Sequence, residues 1–242
     1  MIVLGGPHSG FGGNTHYFDV HVCQVRAQMI RQIRSNISAA DFIPPEQGLG
    51  SLRQAAGTCR GCNLFQRARQ TVFGEGPDHA RLVFVGEQPE AEDDEAGRPF
   101  TGPAGKLLRQ AIDEVGIDVS QIYLTNVVKH FKPAPDDSRQ SLKPAAREVK
   151  ACLPWLEAEL EAIRPEMVVC LGAVASQVLI GRAFRVSKQH GSVVFTEWAP
   201  WTIATYHPAA ILRCPDAIRA DIQQAFLEDL RLVAQRLETT IV

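Results

Sequence analysis

Short apolar runs alternate with longer amphipathic segments through residues 82–237 of this 242-residue chain. Runs at 82–85, 122–125 and 167–171 have the length and composition of strands that are buried on both faces. Residues 144–163 repeat apolar side chains at steps of three and four, which is typical of an amphipathic helix. Further strands are predicted at 193–195 and 202–206, with helices at 103–115, 173–180 and 222–237. This alternation predicts an α/β fold, a three-layer αβα sandwich around a mostly parallel central sheet.

Polar residues stand where three of the predicted strands end. Glu87 and Gln88 follow the first strand, Asn126 follows the second, and His207 follows the last. Parallel sheets bind their ligands beyond the carboxyl ends of the strands. The sequence therefore predicts a ligand site at this edge. No G-x-G-x-x-G follows the first strand, which disfavours a dinucleotide site.

The domain organisation follows from composition. Residues 1–48 are rich in Gly, His and polar side chains and are interpreted as an N-terminal extension of uncertain order, whereas 49–242 form the α/β domain. Hydrophobic residues make up 45% and charged residues 21%, which is typical of a soluble globular chain. No apolar run approaches the roughly 18 residues of a membrane span. We therefore expect a cytoplasmic protein, a monomer, with no membrane partner.

Charge is unevenly distributed along the chain. The formal net charge of −2 excludes a globally basic nucleic-acid binder. Basic side chains nevertheless concentrate in 126–150 and in 182–188. Such segregation favours a groove for a polyanion, although charged runs are also common on faces that only meet water.

Cys59 and Cys62 form a C-x-x-C pair, a spacing that lets two thiolates bind one metal centre. The alternative is two structural thiols ahead of a helix. Cys152 lies on the apolar face of its predicted helix, where a buried thiol is the default interpretation. The cysteines thus supply three candidate ligands, and His130, just past a strand end, is the candidate for a fourth.

Four ordered motifs carry a family resemblance. They are Gly-Glu-Gln-Pro at 86–89, Gly-Arg-Pro-Phe-Thr-Gly-Pro-Ala-Gly at 97–105, Thr-Asn-Val-Val-Lys at 125–129 and His-Pro-Ala-Ala-Ile-Leu-Arg at 207–213. Together with the C-x-x-C pair, they resemble the uracil-DNA glycosylases, in particular the iron-sulfur family four enzymes and their UdgX-like branch. The resemblance covers about residues 50–238. It implies the glycosylase-like αβα fold and removal of uracil from DNA in base-excision repair.

The resemblance also implies a cofactor. Family four enzymes hold a [4Fe-4S] cluster on four cysteines, and His130 stands at the third of those positions, as in the UdgX-like branch. The implied ligands are Cys59, Cys62, His130 and Cys152. Zinc is the alternative, because three cysteines and one histidine are a common zinc ligand set.

Motif position implies a role for each pocket residue. Phe100 would stack on uracil, Gln88 would bind the base, and Asn126 would pair with its N3–H and O4. His207 would donate to O2, although a histidine before proline could simply cap the following turn. The remaining catalytic candidates are Glu87, expected at the C5 edge and beside the water, and Asp94.

The DNA contacts are assigned to Lys129, Ser141 and Arg213, with uracil-containing DNA, single- or double-stranded, as the partner. Ser141 falls where UdgX-like proteins carry a histidine that attacks the sugar. Serine needs an adjacent base to act in this way, so we expect a monofunctional enzyme that uses water and forms no covalent intermediate. The alternative is a protein that binds uracil-containing or abasic DNA without turnover. Glu90 departs from the family pattern, which has glycine there.

Overall fold

A computed structural model describes residues 37–46, 48–135 and 140–239, and one compact unit begins at Ser38. Within that part of the chain, five strands form one sheet in the order β2-β1-β3-β5-β4. The strands are β1 Leu82–Gly86, β2 Ile122–Asn126, β3 Met167–Leu171, β4 Val193–Val194 and β5 Trp201–Thr205. All neighbours pair in parallel except β4, which runs antiparallel to β5 at one edge. The predicted mostly parallel sheet is confirmed.

Helices cover both faces of the sheet. They are α1 Leu49–Ala56, α2 Ala91–Ala96, α3 Pro103–Glu114, α4 Ala146–Ile163, α5 Gly172–Leu179, α6 Val186–Gln189, α7 Pro208–Arg213 and α8 Asp216–Thr239. One apolar core joins Val83 and Val85 of β1 to Trp155 of α4, and the other joins Phe84 to Leu108 and Phe226 on the opposite face. Successive β1 side chains thus enter different cores, as the pleat of a strand requires. This is the predicted three-layer arrangement.

The folded region includes residues that the sequence assigned to the extension. Residues 38–46 belong to the compact unit, and Ala39 is fully buried. A methyl group added at Gly61 would lie 2.5 Å from the main chain of Ser38, so these two segments are in close contact. Residues 1–36 lie outside the described part of the chain.

Three short helices, α2, α6 and α7, were not predicted. Helix α2 begins after Glu90, whose main-chain N–H donates to the Asp93 carboxylate at 3.0 Å. Asp93 also accepts from the main chain and hydroxyl of Thr101 at 2.6 and 2.8 Å. An acid in the run 92–95 is expected to be solvated, but the Asp93 carboxylate is buried and satisfies the helix start. None of the described helices is long and apolar enough to cross a membrane.

Candidate active site

A pocket of about 440 Å³ opens at the carboxyl edge of the sheet. Its wall includes Glu87 and Gln88 after β1, and His207 after β5. Ser141 and Arg213 complete the predicted residues in this wall. The structure thus brings together side chains that are more than 120 positions apart in the sequence, at the edge where parallel sheets bind ligands.

Asn126 and Phe100 meet at Gly86, the last residue of β1. A methyl group added at Gly86 would lie 2.2 Å from Asn126 Oδ1 and 2.8 Å from the Phe100 ring. Both side chains are buried. Asn126 Oδ1 and Gln88 Oε1 are each buried without a hydrogen-bond partner among the described residues. Such unpaired acceptors are costly, and they are available to a ligand that carries N–H groups.

Phe100 is held in a strained main-chain conformation. Its φ of 58° lies in the left-handed region, which costs a non-glycine residue about 1–3 kcal/mol. The Thr101–Asp93 bonds fix the loop on one side, and Arg109 Nη1 donates to the Phe100 carbonyl on the other. The ring lies 6.3 Å from the His207 ring at an interplanar angle of 27°. The surrounding contacts therefore fix an aromatic face in the site.

His207 precedes helix α7 and acts as its N-cap. Its Nδ1 accepts the Ala209 main-chain N–H at 3.1 Å, so the proton of the neutral ring resides on Nε2. Burial, aided by the positive charge of Arg213, lowers the pKa of His207 to about 4. The capping role and the donor role are thus compatible, because one nitrogen caps the helix while the other offers a neutral N–H donor at pH 7.

Two glutamates face the pocket with perturbed ionisation. Burial raises the pKa of Glu87, while Lys143 and Arg213 partly offset the shift. Burial and the neighbouring Asp93 raise the pKa of Glu90, and Arg213 opposes them. Raised carboxyl pKa values are common where a carboxylate serves as a base. Glu90 also caps the N-terminus of α2, which gives it a structural function.

Lys129 and Asp94 lie elsewhere. The prediction that Lys129 binds DNA is wrong for this structure, because the side chain is fully buried and paired with Glu159. The buried Glu159 carboxylate holds the Lys129 ammonium in the interior. The motif alone does not reveal this pairing. Asp94 is buried, and both its oxygens accept the main-chain N–H of Arg69, at 3.1 and 3.0 Å. The contacts of Asp94 therefore fix the 69–70 segment, and it is absent from the described residues that line the pocket.

The four candidate metal ligands lie in one buried region. Cys59 and Cys152 belong to the same core, against which Cys62 packs. Burial raises the pKa of Cys152, and the nearby sulfurs of Cys62 and Cys59 add to the shift. Main-chain N–H groups donate to two sulfurs, from Gly61 to Cys59 at 3.5 Å and from Lys129 to Cys152 at 3.2 Å.

His130 directly follows Lys129, whose main-chain N–H donates to Cys152 Sγ. Its Nε2 lies 3.0 Å from Thr71 Oγ1, while Nδ1 is buried with no partner among the described residues. In the described part of the chain no three such side chains already stand in a metal-binding arrangement. The donor chemistry, the N–H···S bonds and the unpaired Nδ1 nevertheless suit a thiolate-bound centre.

Sequence reasoning missed several pocket residues. Tyr206, Gln177 and Arg185 line the wall but belong to none of the recognised motifs. Gly172 at the start of α5 has a φ of 84°, and an added methyl there would lie 2.9 Å from His207 Cβ. In the sequence, Tyr206 and Gly172 could be suspected only because each follows a strand, and Arg185 only because it lies in the basic stretch 182–188, which contains no acid.

An aromatic face, two unpaired acceptors and a neutral histidine donor at the edge of an α/β sheet are chemically suited to a planar, polar ring. The model of the uracil DNA glycosylase superfamily matches residues 73–231. This chain belongs to that superfamily.

Three relatives carry the same name, Type-4 uracil-DNA glycosylase. The protein of Archaeoglobus fulgidus is 37% identical over 70% of this chain and 85% of its own length. That of Pyrobaculum aerophilum is 34% identical over 73% and 90%, and that of Thermotoga maritima is 36% identical over 64% and 78%. The similarity thus spans most of both chains in each comparison.

Proposed function

We propose that this protein is a uracil-DNA glycosylase of DNA repair, which hydrolyses the N-glycosidic bond of deoxyuridine to give free uracil and an abasic site. One observation carries the proposal: in a member of the superfamily, a neutral His207 lines the pocket, and the Phe100 ring, which meets Asn126 at Gly86, lies 6.3 Å from the His207 ring. The relatives named as Type-4 enzymes support the same activity.

The pocket chemistry suits an extrahelical uracil. Flipping the nucleotide out of the stack costs a few kcal/mol, and stacking on Phe100 offsets part of it. Asn126 Oδ1, unpaired in the described structure, accepts uracil N3–H, and the amide nitrogen donates to O4. Cytosine has an acceptor at N3, so it leaves a buried mismatch of about 1–3 kcal/mol.

His207 stabilises the leaving group. As the C1'–N1 bond breaks, the electron pair passes to the base and negative charge grows on O2. The neutral His207 ring donates its Nε2–H to O2 and keeps its proton. One preorganised donor of this kind contributes about 3 kcal/mol.

Water is the proposed nucleophile. Its oxygen bonds to C1', Glu87 orients it and accepts the proton, and uracil leaves as the anion that solvent then protonates. The position of Glu87 in the pocket, with a raised pKa, supports this role. Ser141 lies in the same wall, where it offers a hydroxyl rather than an imidazole to the sugar, which supports turnover without a covalent intermediate.

Arg213, Lys143 and Arg185 are exposed around the pocket and are proposed to contact the phosphates that flank the flipped nucleotide. Ser141 lines the same pocket as Glu87 and is proposed to contact the sugar-phosphate. The partner is then uracil-containing DNA in single- or double-stranded form. Lys129 is no longer part of this set.

Cys59, Cys62, His130 and Cys152 are proposed to hold a [4Fe-4S] cluster, with zinc as the alternative. The bound centre would crosslink the segment before β1 to the residues after β2 and to α4, a structural role. Purified protein should contain about four irons and absorb broadly in the visible range, as thiolate-bound clusters do. One tightly held zinc in a colourless protein would contradict the iron-sulfur assignment.

The function is tested with a labelled oligonucleotide that contains one uracil. The wild type should release free uracil and leave an alkali-labile site. His207→Ala and Asn126→Ala should lower the single-turnover rate by about 10²–10³-fold with little loss of DNA binding. His79→Ala, at an exposed histidine, is the control.

A denaturing gel tests the nucleophile in the same samples. No band that contains both protein and DNA should form. Binding without uracil release would support a non-turnover binder instead, and a heat-stable adduct would exclude the water mechanism.

A further inference from the structure

A buried polar network lies behind Asn126. Lys129 and Glu159 are both fully buried and form an ion pair. Lys129 Nζ also donates to Thr125 Oγ1 and to the Asn126 carbonyl, each at 2.7 Å. Glu159 accepts from Tyr123 OH at 3.0 Å, from Thr125 Oγ1 at 2.8 Å and from a main-chain N–H at 2.9 Å. The ammonium thus has three oxygen partners, and both carboxylate oxygens have donors.

Stability alone does not account for this pair. Taking two charges out of water costs several kcal/mol per ion, and apolar replacements of a buried pair are often equally stable. In some proteins a buried ion pair instead selects one arrangement of the surrounding groups. The relevant question is therefore which group Lys129 holds in place.

The group it holds is the main chain of Asn126. Strand β2 forms an edge of the sheet, and there Glu75 bridges Leu124 on the open side. Asn126 lies two residues further, so its carbonyl faces the same open side, and Lys129 Nζ bonds it. The Asn126 side-chain oxygen is left without a partner among the described residues. The main chain is fixed and the amide remains available to a base.

The main chain of Lys129 reaches the cysteine region. Its N–H donates to Cys152 Sγ at 3.2 Å, and its carbonyl accepts the Val72 N–H at 2.8 Å. Cys152 is one of the four proposed metal ligands. A single residue therefore contacts both a proposed ligand and the residue proposed to read uracil.

We propose that Lys129 is a positioning residue that couples the metal-binding region to Asn126, so that the order of that region sets how well the pocket binds uracil. This inference rests on the proposed function of Asn126. It implies that perturbing the metal region and removing Lys129 damage the same step.

The test is a variant in which both charges are removed, Lys129→Met with Glu159→Gln. Lys129→Met alone leaves a buried carboxylate unpaired and should destabilise the fold, whereas the double variant should melt near the wild type. If Lys129 only stabilises the fold, the double variant should regain wild-type activity together with wild-type stability. If it positions Asn126, the double variant stays about 10- to 100-fold slower in single turnover, and its affinity for free uracil, measured by calorimetry, falls as well.

A matched control is Arg81→Met with Glu166→Gln. This pair, bonded at 2.6 Å, lies at the opposite end of β1 from the pocket, and its removal should leave both readouts unchanged. If this control keeps the wild-type rate and uracil affinity, the losses in the Lys129 and Glu159 double variant come from Asn126 and not from the removal of a charged pair in general.

Metal removal completes the design. Chelated wild type should lose uracil affinity, whereas chelation of the double variant should add little, because the two changes act through one link. If chelation lowers the uracil affinity of the double variant by the same factor as that of the wild type, the two changes are independent and the coupling is overturned. Full activity of the double variant would overturn the positioning role. A wild type that binds free uracil but never releases it from DNA would refute the proposed function and leave the coupling measurable.

Discussion

At the scale of single residues, Gly86 leaves no room for a side chain beside Asn126 and Phe100. A methyl group there would overlap Asn126 Oδ1 at 2.2 Å, so Gly86→Ala must displace Asn126 or Phe100. A displacement of about 1 Å can cost about 100-fold in rate, and we expect a loss of that order in single-turnover uracil release. Gly50→Ala is the control, because its added carbon meets nothing within 4 Å. Equal rates for the two variants would show that Asn126 and Phe100 need not hold these positions.

Glu87 and His207 should differ in their effect on the pH profile. Burial raises the pKa of Glu87, whereas the pKa of His207 is about 4. The rate should therefore rise with pH through the Glu87 pKa and then stay flat to about pH 8, and no step should disappear in His207→Ala. Glu87→Gln should be slow and lack that rise. A wild-type inflection near about 6.5, the ordinary histidine value, that is lost in His207→Ala would contradict the neutral-donor role.

The same carboxylate predicts a difference in stability with a definite sign. Because the folded-state pKa of Glu87 is raised, the charged form destabilises the fold above that pKa, and the cost disappears below the unfolded-state value. Glu87→Gln should melt higher than the wild type at pH 8, and the difference should shrink as the pH falls towards 4. Scanning calorimetry measures it, with Glu238→Gln as an exposed control.

At the scale of elements, Asp229 of α8 joins the last helix to β5. It accepts from the buried Thr205 hydroxyl at 2.6 Å and lies 3.0 Å from His190 Nδ1. Asp229→Ala leaves the Thr205 hydroxyl unpaired, which costs about 1–3 kcal/mol. With about 2–4 °C per kcal/mol for a chain of this size, we expect Tm to fall by about 2–12 °C. Asp221→Ala, exposed on the same helix, should change Tm little.

The elements also show how far the sequence could predict the fold. Strands β1 and β3 were predicted from apolar runs within one residue, because burial on both faces leaves a continuous hydrophobic signal. Helix α2 gave no such signal, since its first turn is held by the buried Asp93, which bonds the main chain of Glu90 and of Thr101. Lys129 was assigned to DNA as one of the basic residues concentrated in 126–150. Its burial depends on Glu159, thirty positions away, and no local pattern contains that pairing.

At the scale of the whole molecule, charge distribution matters more than net charge. The chain carries −2 overall, yet Arg213 and Lys143 both act on the pocket carboxylates. Affinity for uracil-containing DNA should therefore fall steeply with salt. Arg213→Ala should reduce the slope of log K against log salt by about 1, as expected for one lost phosphate contact. The control is Arg231→Ala. Arg231 lies on α8 and pairs with Glu114 of α3, and its removal should keep the wild-type slope.

The two unpaired oxygens of the pocket, on Gln88 and Asn126, have a consequence for the lifetime of the protein. Each unsatisfied buried acceptor costs about 1–3 kcal/mol, a sizeable share of a net stability of about 5–15 kcal/mol. A base seated between them removes that cost, and local opening around the pocket becomes rarer. The protein without a bound base should therefore be cleaved by a protease faster than the protein with a base in the pocket. Its cellular abundance would then rise with the amount of uracil in DNA.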